Sequence, residues 1–226
     1  LSSARKVYVS GDGPPVVFSS GLFGQTPPWM YSRFLTDLAK NLTVVRVPGG
    51  VKLHDVAEVA DKLAVDRVGF VAHSSFDAKI LTSDRVERAV VCDPICIPGT
   101  GGVRVNVPTL AIEADLLYNS GKLPEFNRLQ LYGPLLETHT TYDVGHTDIL
   151  DNAVAELAKA SGLWDSLRPT ATKFSEWKST PRRRSVWQLR SAYRTGLAEL
   201  VSSYLLTKPS ELRALPATSE CVALDD

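Results

Sequence analysis

Val68-Gly69-Phe70-Val71-Ala72 runs without a spacer into His73-Ser74-Ser75-Phe76-Asp77. A continuous apolar run of this length reads as a strand buried on both faces, the kind found in parallel sheets covered by helices. The next strand is expected at residues 89–92, so only a short helix, at 76–81, fits between them. A serine held on so tight a strand-to-helix turn projects its hydroxyl above the sheet. The N–H of the residue after it, at a helix N-terminus, is then placed to receive an oxyanion. Serines in β–α turns more often cap helices than attack substrates, so Ser74 is a candidate nucleophile only if partners follow.

Working outward, strands and helices alternate through the first two thirds of the chain. Residues 6–10 predict a short strand, Gly11-Asp12-Gly13 a hairpin turn, and 15–19 (PVVFS) a buried strand ending in Ser20-Gly21-Leu22-Phe23-Gly24. Residues 29–41 have helical spacing, with Met30, Phe34, Leu35 and Leu38 on one face. Residues 42–47 read as strand and 54–63 as helix, strands follow at 109–112 and 140–143, and a helix at 148–160. Strands separated by helices pair in parallel through right-handed crossovers. The fold class is therefore α/β: a three-layer α/β/α sandwich with a mostly parallel central sheet, spanning residues 1–166. The stretch between 112 and 140 is too short for a lid domain, so the architecture is compact and any site on it is open.

Composition agrees. The chain has 226 residues, 44% hydrophobic and 22% charged, which excludes a disordered tail, a collagen-like fibre and a small disulfide scaffold. Lys+Arg and Asp+Glu balance at 25 each, so no overall field draws nucleic acid or anionic lipid. The charge is uneven, however: residues 168–213 hold ten basic side chains against three acids, a net +7, which leaves −7 for the remainder. Cys92, Cys96 and Cys221 give neither metal-ligand spacing nor an even disulfide count, so an intracellular, reducing compartment is expected. No apolar run approaches the roughly 18 residues of a spanning helix. The N-terminus lacks a signal-peptide pattern, and its start at Leu1 reads as a processed or trimmed product.

Partners for Ser74 do follow in order. Val90-Val91-Cys92-Asp93-Pro94 ends a strand on an acid, and Gly145-His146-Thr147-Asp148-Ile149-Leu150-Asp151 follows the last strand. Serine, acid and histidine, each at the carboxyl end of a strand, are the parts of a nucleophilic triad. His73-Ser74-Ser75-Phe76-Asp77-Ala78-Lys79, the Asp93-Pro94-Ile95 strand end and the Gly145-His146 motif together resemble the chlorophyllase branch of the α/β hydrolases, related to the dienelactone-hydrolase type. The resemblance covers about residues 5–160. It departs from the branch at the nucleophile elbow, where Phe76 and Asp77 stand in place of a Gly-Gly pair. It implies an α/β-hydrolase fold and a serine hydrolase of small carboxylic esters, working through an acyl-enzyme without metal or cofactor. Ser74 would be the nucleophile, His146 the general base and Asp93 the acid that orients it. The backbone N–H groups of Leu22 and Ser75 would be the oxyanion donors. Asp115, after the 109–112 strand, is the competing acid, and Glu113 a distant third.

Each residue also has an ordinary reading. His146 and Asp148 could simply begin a helix, His73 would pack beneath the turn, and His54 and His139 are expected in solvent. Phe23, Trp29 and Phe76 are better read as core than as an acyl pocket. A second hypothesis keeps the fold but not the activity: a catalytically weakened or inactive binding or assembly module, whose lost elbow glycines record relaxed demand.

Beyond Trp164 the pattern changes. Residues 167–184 read as a basic linker ending in Arg182-Arg183-Arg184, a contact for nucleic acid or an anionic membrane, although such linkers are more often merely solvated. In 185–226, Val186, Leu189, Tyr193, Leu197, Leu200 and Tyr204 recur at steps of three and four, the mark of an amphipathic helix over 185–206 followed by an irregular tail. With the core expected to be complete by 166, that helix is predicted to bury its stripe across a chain or domain boundary, in a homo-oligomer or against a protein partner.

Overall fold

The computed structural model describes residues 8–21, 24–47, 49–96, 101–114, 127–141, 149–151 and 186–207. The expected helix at 148–160, the linker at 167–184 and the tail lie outside them. So do Leu22, Phe23, Asp115, His146 and Asp148.

Among the described residues seven strands form the central sheet: β1 (Tyr8–Ser10), β2 (Pro15–Ser19), β3 (Thr43–Arg46), β4 (Val68–His73), β5 (Val86–Cys92), β8 (Thr109–Ala114) and β11 (Leu136–Thr141). Their spatial order is β1-β3-β2-β4-β5-β8-β11. Only β1 is antiparallel to its neighbour; every other pairing in this sheet is parallel. Between them run two short pairs, β6 (Ile95–Cys96) antiparallel with β9 (Asn127–Arg128), and β7 (Val103–Arg104) parallel with β10 (Leu131–Tyr132).

Side chains alternate between two cores, as the two-residue strand period requires. Val17, Phe70, Ala72, Ala89, Val91 and Ala111 face helix α2 (Leu53–Lys62) and a 3₁₀ turn at Ala78–Thr82. Val16, Phe18, Val71, Val90, Leu110 and Ile112 face α1 (Ser32–Leu38) and α3 (Val186–Leu206). A sheet buried on both faces, with helices over each, is the three-layer α/β sandwich predicted from the sequence.

Away from the Ser74 turn, four expectations about the elements need correction. Gly11-Asp12-Gly13 is no hairpin, because β3 lies between β1 and β2. The glycines instead let the chain pass close under the carbonyls of Asn41 and Leu42, where a Cβ would collide, and Gly11 has φ +93°. The helix expected at 29–41 is a 3₁₀ turn, Pro28–Tyr31, running into the shorter α1. The last strand is not at 140–143 but at Leu136–Thr141; it is an edge strand, mostly exposed, so it has no apolar run to mark it.

The fourth correction concerns α3. The helix spans nearly the predicted residues, yet it lies on the chain's own sheet beside α1, with Leu197, Ala198, Val201 and Tyr204 buried in the core they share. Its buried seam is turned relative to the predicted stripe: Arg194, Ala198 and Val201 point inward, while Tyr193 and Leu200 are half-buried. The strand face above α1 needs a second helix to exclude water from Val71, Val90 and Leu110, and α3 is that helix.

Candidate active site

β4 delivers Ser74 at its carboxyl end. Three non-glycine residues in the described structure have positive φ: Ala64 (52°), Ser74 (64°) and Asp93 (45°). Ser74 and Asp93 stand at the ends of adjacent strands. The Ser74 N–H donates to the Cys92 carbonyl (3.0 Å), and the Ser74 carbonyl accepts from Ile95 N–H (3.2 Å), so the serine's backbone is tied to the strand that ends at the acid. Both side chains are buried, at 6% and 4% exposure.

The turn after Ser74 differs from the expected one. Phe76, which takes the place of the first glycine of the expected pair, turns into the core on the α2 side, its ring 5.8 Å from that of Phe70. The chain bends at Ser74 and Ser75, and Asp77 is extended (φ −75°, ψ 98°). Helical turns begin only at Ala78, where the Asp77 carboxylate accepts from Lys79 N–H. The expected helix at 76–81 is therefore a 3₁₀ turn starting two residues later. Ser75, though buried, is not at a helix N-terminus, and its N–H gains nothing from a helix dipole.

On the other side, Gly21 lies against the serine. A Cβ there would sit 3.1 Å from Ser74 Cβ, 3.2 Å from Tyr31 Oη and 3.4 Å from His73 Nδ1. The Gly21 N–H donates to Tyr31 Oη (3.0 Å), and that oxygen is 2.8 Å from His73 Nδ1. Tyr31 is fully buried, and burial pushes its hydroxyl up to about 12, the Gly21 N–H pulling the other way. His73 thus packs beneath the turn, as read from the sequence.

Asp93 has a partner that the sequence does not reveal. Its N–H donates to the Ile112 carbonyl (2.6 Å), and its Oδ1 is 3.9 Å from the Arg128 guanidinium. The β6–β9 pairing puts Ile95 opposite Arg128 and so carries the arginine to the acid. The same guanidinium is ion-paired with Glu113. Glu113, the third-ranked acid, is thus held by a cation. Cys92, the last residue of β5 and part of the core under α1 and α3, is a free thiol whose ionisation is pushed up to about 12 by burial, then by the Asp93 charge.

The structure therefore brings Ser74 and Asp93 together, with Gly21 and Ser75 around them. His146, Leu22 and the competing acid Asp115 lie outside the described residues. His54 and His139 are exposed, as expected, and Trp29 is half exposed instead of filling core. Tyr31 and Arg128 are the members that sequence reading missed: each meets its partners across tens of residues, and nothing local marks them. Among the described residues no group of three or more His, Cys, Asp or Glu is placed to hold a metal ion.

A parallel sheet with one antiparallel edge strand carries a left-handed serine at the carboxyl end of a central strand. The chain has the fold of a three-layer α/β/α sandwich with a mostly parallel sheet. No protein-family model matches the sequence, and no curated protein matches it. Among solved structures, similar chains include an α/β-hydrolase enzyme from the metagenome of sediments from the lagoon of Mar Chica, Morocco. It is 13% identical with a TM-score of 0.47, over 74% of this chain and 97% of that one. The enol-lactonase from Burkholderia xenovorans LB400 is 13% identical with a TM-score of 0.45, over 74% and 96%. A hydrolase from Pseudomonas aeruginosa PA01 is 24% identical with a TM-score of 0.34, over 41% and 43%.

Proposed function

We propose that this chain is a serine hydrolase of small carboxylic esters. Ser74 acts as nucleophile, His146 as general base, Asp93 as the orienting acid, and the N–H groups of Ser75 and Leu22 as oxyanion donors. The observation that carries the reading is the pair of strained residues, Ser74 and Asp93, side by side at the carboxyl ends of β4 and β5. Holding a non-glycine residue there costs of order 1–3 kcal/mol, which persists where the surroundings over-determine it, and such strain clusters at active sites.

In the proposed reaction His146 takes the proton from Ser74 Oγ as that oxygen attacks the ester carbonyl. The tetrahedral oxyanion is held by the two N–H groups, and the alcohol leaves with the proton returned by His146. Water, deprotonated by the same histidine, then releases the acid and restores the serine.

Covalent labelling by a fluorophosphonate tests nucleophile, base and oxyanion donors together. The wild type should label at Ser74, while Ser74→Ala and His146→Ala should not. Asp93→Asn should lower kcat on p-nitrophenyl acetate by as much as the roughly 10⁴ known for other triads, with Asp115→Asn nearly silent. The reverse pattern would move the acid to Asp115. A second reading, the inactive binding or assembly module, is favoured by the buried Phe76 and the delayed helix after the turn. A folded wild type that resists the probe would establish it.

A further inference from the structure

We propose that Tyr31 is a positioning residue whose buried hydroxyl holds the loop at Gly21 against the Ser74 turn; the proposal rests on the serine-hydrolase reading above. Tyr31 sits where the 3₁₀ turn Pro28–Tyr31 meets α1, and its ring is fixed edge-on between Phe18 (5.1 Å) and His73 (5.6 Å). Apolar packing alone would be served by phenylalanine. A fully buried phenolic hydroxyl is costly unless it is hydrogen-bonded, so its partners are the reason for tyrosine.

Those partners lie on the two segments that meet at the site. Gly21 N–H occupies one lone pair of Oη, which leaves the hydroxyl hydrogen for a second acceptor. His73 Nδ1, at 2.8 Å, accepts that hydrogen when the neutral imidazole carries its proton on Nε2, and the Thr26 side chain, on the Gly21 loop, is a further partner of the same oxygen. One oxygen thereby links the loop after β2 to the residue that immediately precedes Ser74. The far side of Gly21 is held as well: its carbonyl accepts from Gly24 N–H (3.1 Å) and Thr26 N–H (3.1 Å). A peptide unit is planar, so contacts that aim the Gly21 carbonyl restrain the whole peptide plane that begins with it, the unit to which the serine-hydrolase reading assigns an oxyanion donor. Tyr31 on one side and the Gly24 and Thr26 amides on the other hold the Gly21 backbone from both ends, the preorganisation that oxyanion donors need.

The test compares the fluorophosphonate labelling rate at Ser74, and kcat against KM for p-nitrophenyl acetate, in wild type, Tyr31→Phe, Gly21→Ala and Phe34→Leu. Tyr31→Phe keeps the ring and deletes the hydroxyl. It should label about ten- to a hundredfold more slowly and lose kcat by the same factor, with KM within about twofold; losing an oxyanion donor outright costs about 10²–10³. Gly21→Ala, whose Cβ would meet Ser74 Cβ at 3.1 Å as well as Tyr31 Oη at 3.2 Å, should show the same split; its labelling at the wild-type rate would refute the need for a fixed Gly21 even if the phenylalanine variant does not fold. Phe34→Leu, in the same core, should lower the melting temperature and leave labelling unchanged. Labelling of both loop variants at the wild-type rate would overturn the role of Tyr31 while leaving the serine hydrolase standing. A wild type that does not label would overturn both.

Discussion

Left-handed backbone costs an L-residue with a side chain roughly 1–2 kcal/mol, so each occurrence needs a reason. At Ala64 the reason is a helix end. After α2, Val65 N–H donates to the Ala60 carbonyl and Ala64 N–H to the Asp61 carbonyl, the paired bonds of a Schellman motif whose left-handed position is usually glycine. Ala64 is exposed there and contributes no packing that glycine would forfeit. Ala64→Gly should therefore raise the unfolding free energy, by up to about 1 kcal/mol once the extra freedom of glycine in the unfolded chain is deducted. Urea denaturation measures it, and a loss of stability would mean that this backbone is not strained. Ser74 and Asp93 have no helix end to explain them. Their candidacy was legible in the sequence because chain order, serine then acid then histidine, is itself a sequence property. Their strain was not legible, and neither was the company they keep. Tyr31 and His73 are 42 residues apart, and Arg128 reaches Asp93 only because the two-residue strands β6 and β9 happen to pair.

Elements buried on both faces were the easiest to read. β2 matches its predicted bounds, and β4, β5 and β8 are marked by short continuous apolar runs, which a strand covered on both faces requires. The edge strand β11 (LETHTT) was placed several residues late, since an exposed strand offers no hydrophobic signal. Helix α3 was read correctly as an element and wrongly as an outrigger, because periodicity shows that a face is buried but not against what. Its attachment is polar as well as apolar. Arg88 on β5 is 1% exposed, donates to the Tyr204 carbonyl (3.0 Å) and lies 5.4 Å from the centre of the Tyr204 ring. That carbonyl is in the last turn of α3, where no intrahelical N–H remains to satisfy it. Arg88→Met, which keeps the bulk and removes the donor, should cost about 1–3 kcal/mol, the penalty for a buried acceptor left unpaired. Cutting the chain before α3 should do far more. Burial of Leu197, Val201 and Tyr204 at about 1.5–3 kcal/mol each is comparable with the whole stability of a domain, about 5–15 kcal/mol. A truncated chain that still melted cooperatively would show that the core closes without the helix.

At the scale of the molecule, the carboxyl ends of β2, β4 and β5 gather Ser19, Ser20, His73, Ser74, Ser75 and Asp93 into a buried polar layer set on an apolar core. Two acidic protons are trapped close by. The Cys92 thiol is pushed from 9.0 to about 12 by burial and the neighbouring Asp93, and the Tyr31 hydroxyl from 10.0 to about 12 by burial. The Tyr204 hydroxyl, beneath α3, is also raised, chiefly by burial. In each case the native state keeps its proton at a pH where the unfolded chain has lost it. Stability falls with rising pH wherever the native state binds more protons. The window follows from the shifts: full stability below about pH 9, a decline beginning as an unfolded-state cysteine would ionise, a steeper one above pH 10 as tyrosine joins it, continuing to about 12. Melting temperatures measured from pH 7 to 11 should be level at first and then fall. In Cys92→Ala the starting value should be lower, because a buried side chain is cut back, but the onset should move up toward pH 10. A melting temperature that stayed constant through pH 11 would mean that neither group is buried in its neutral form, and with it the packing drawn around Ser74 would fail.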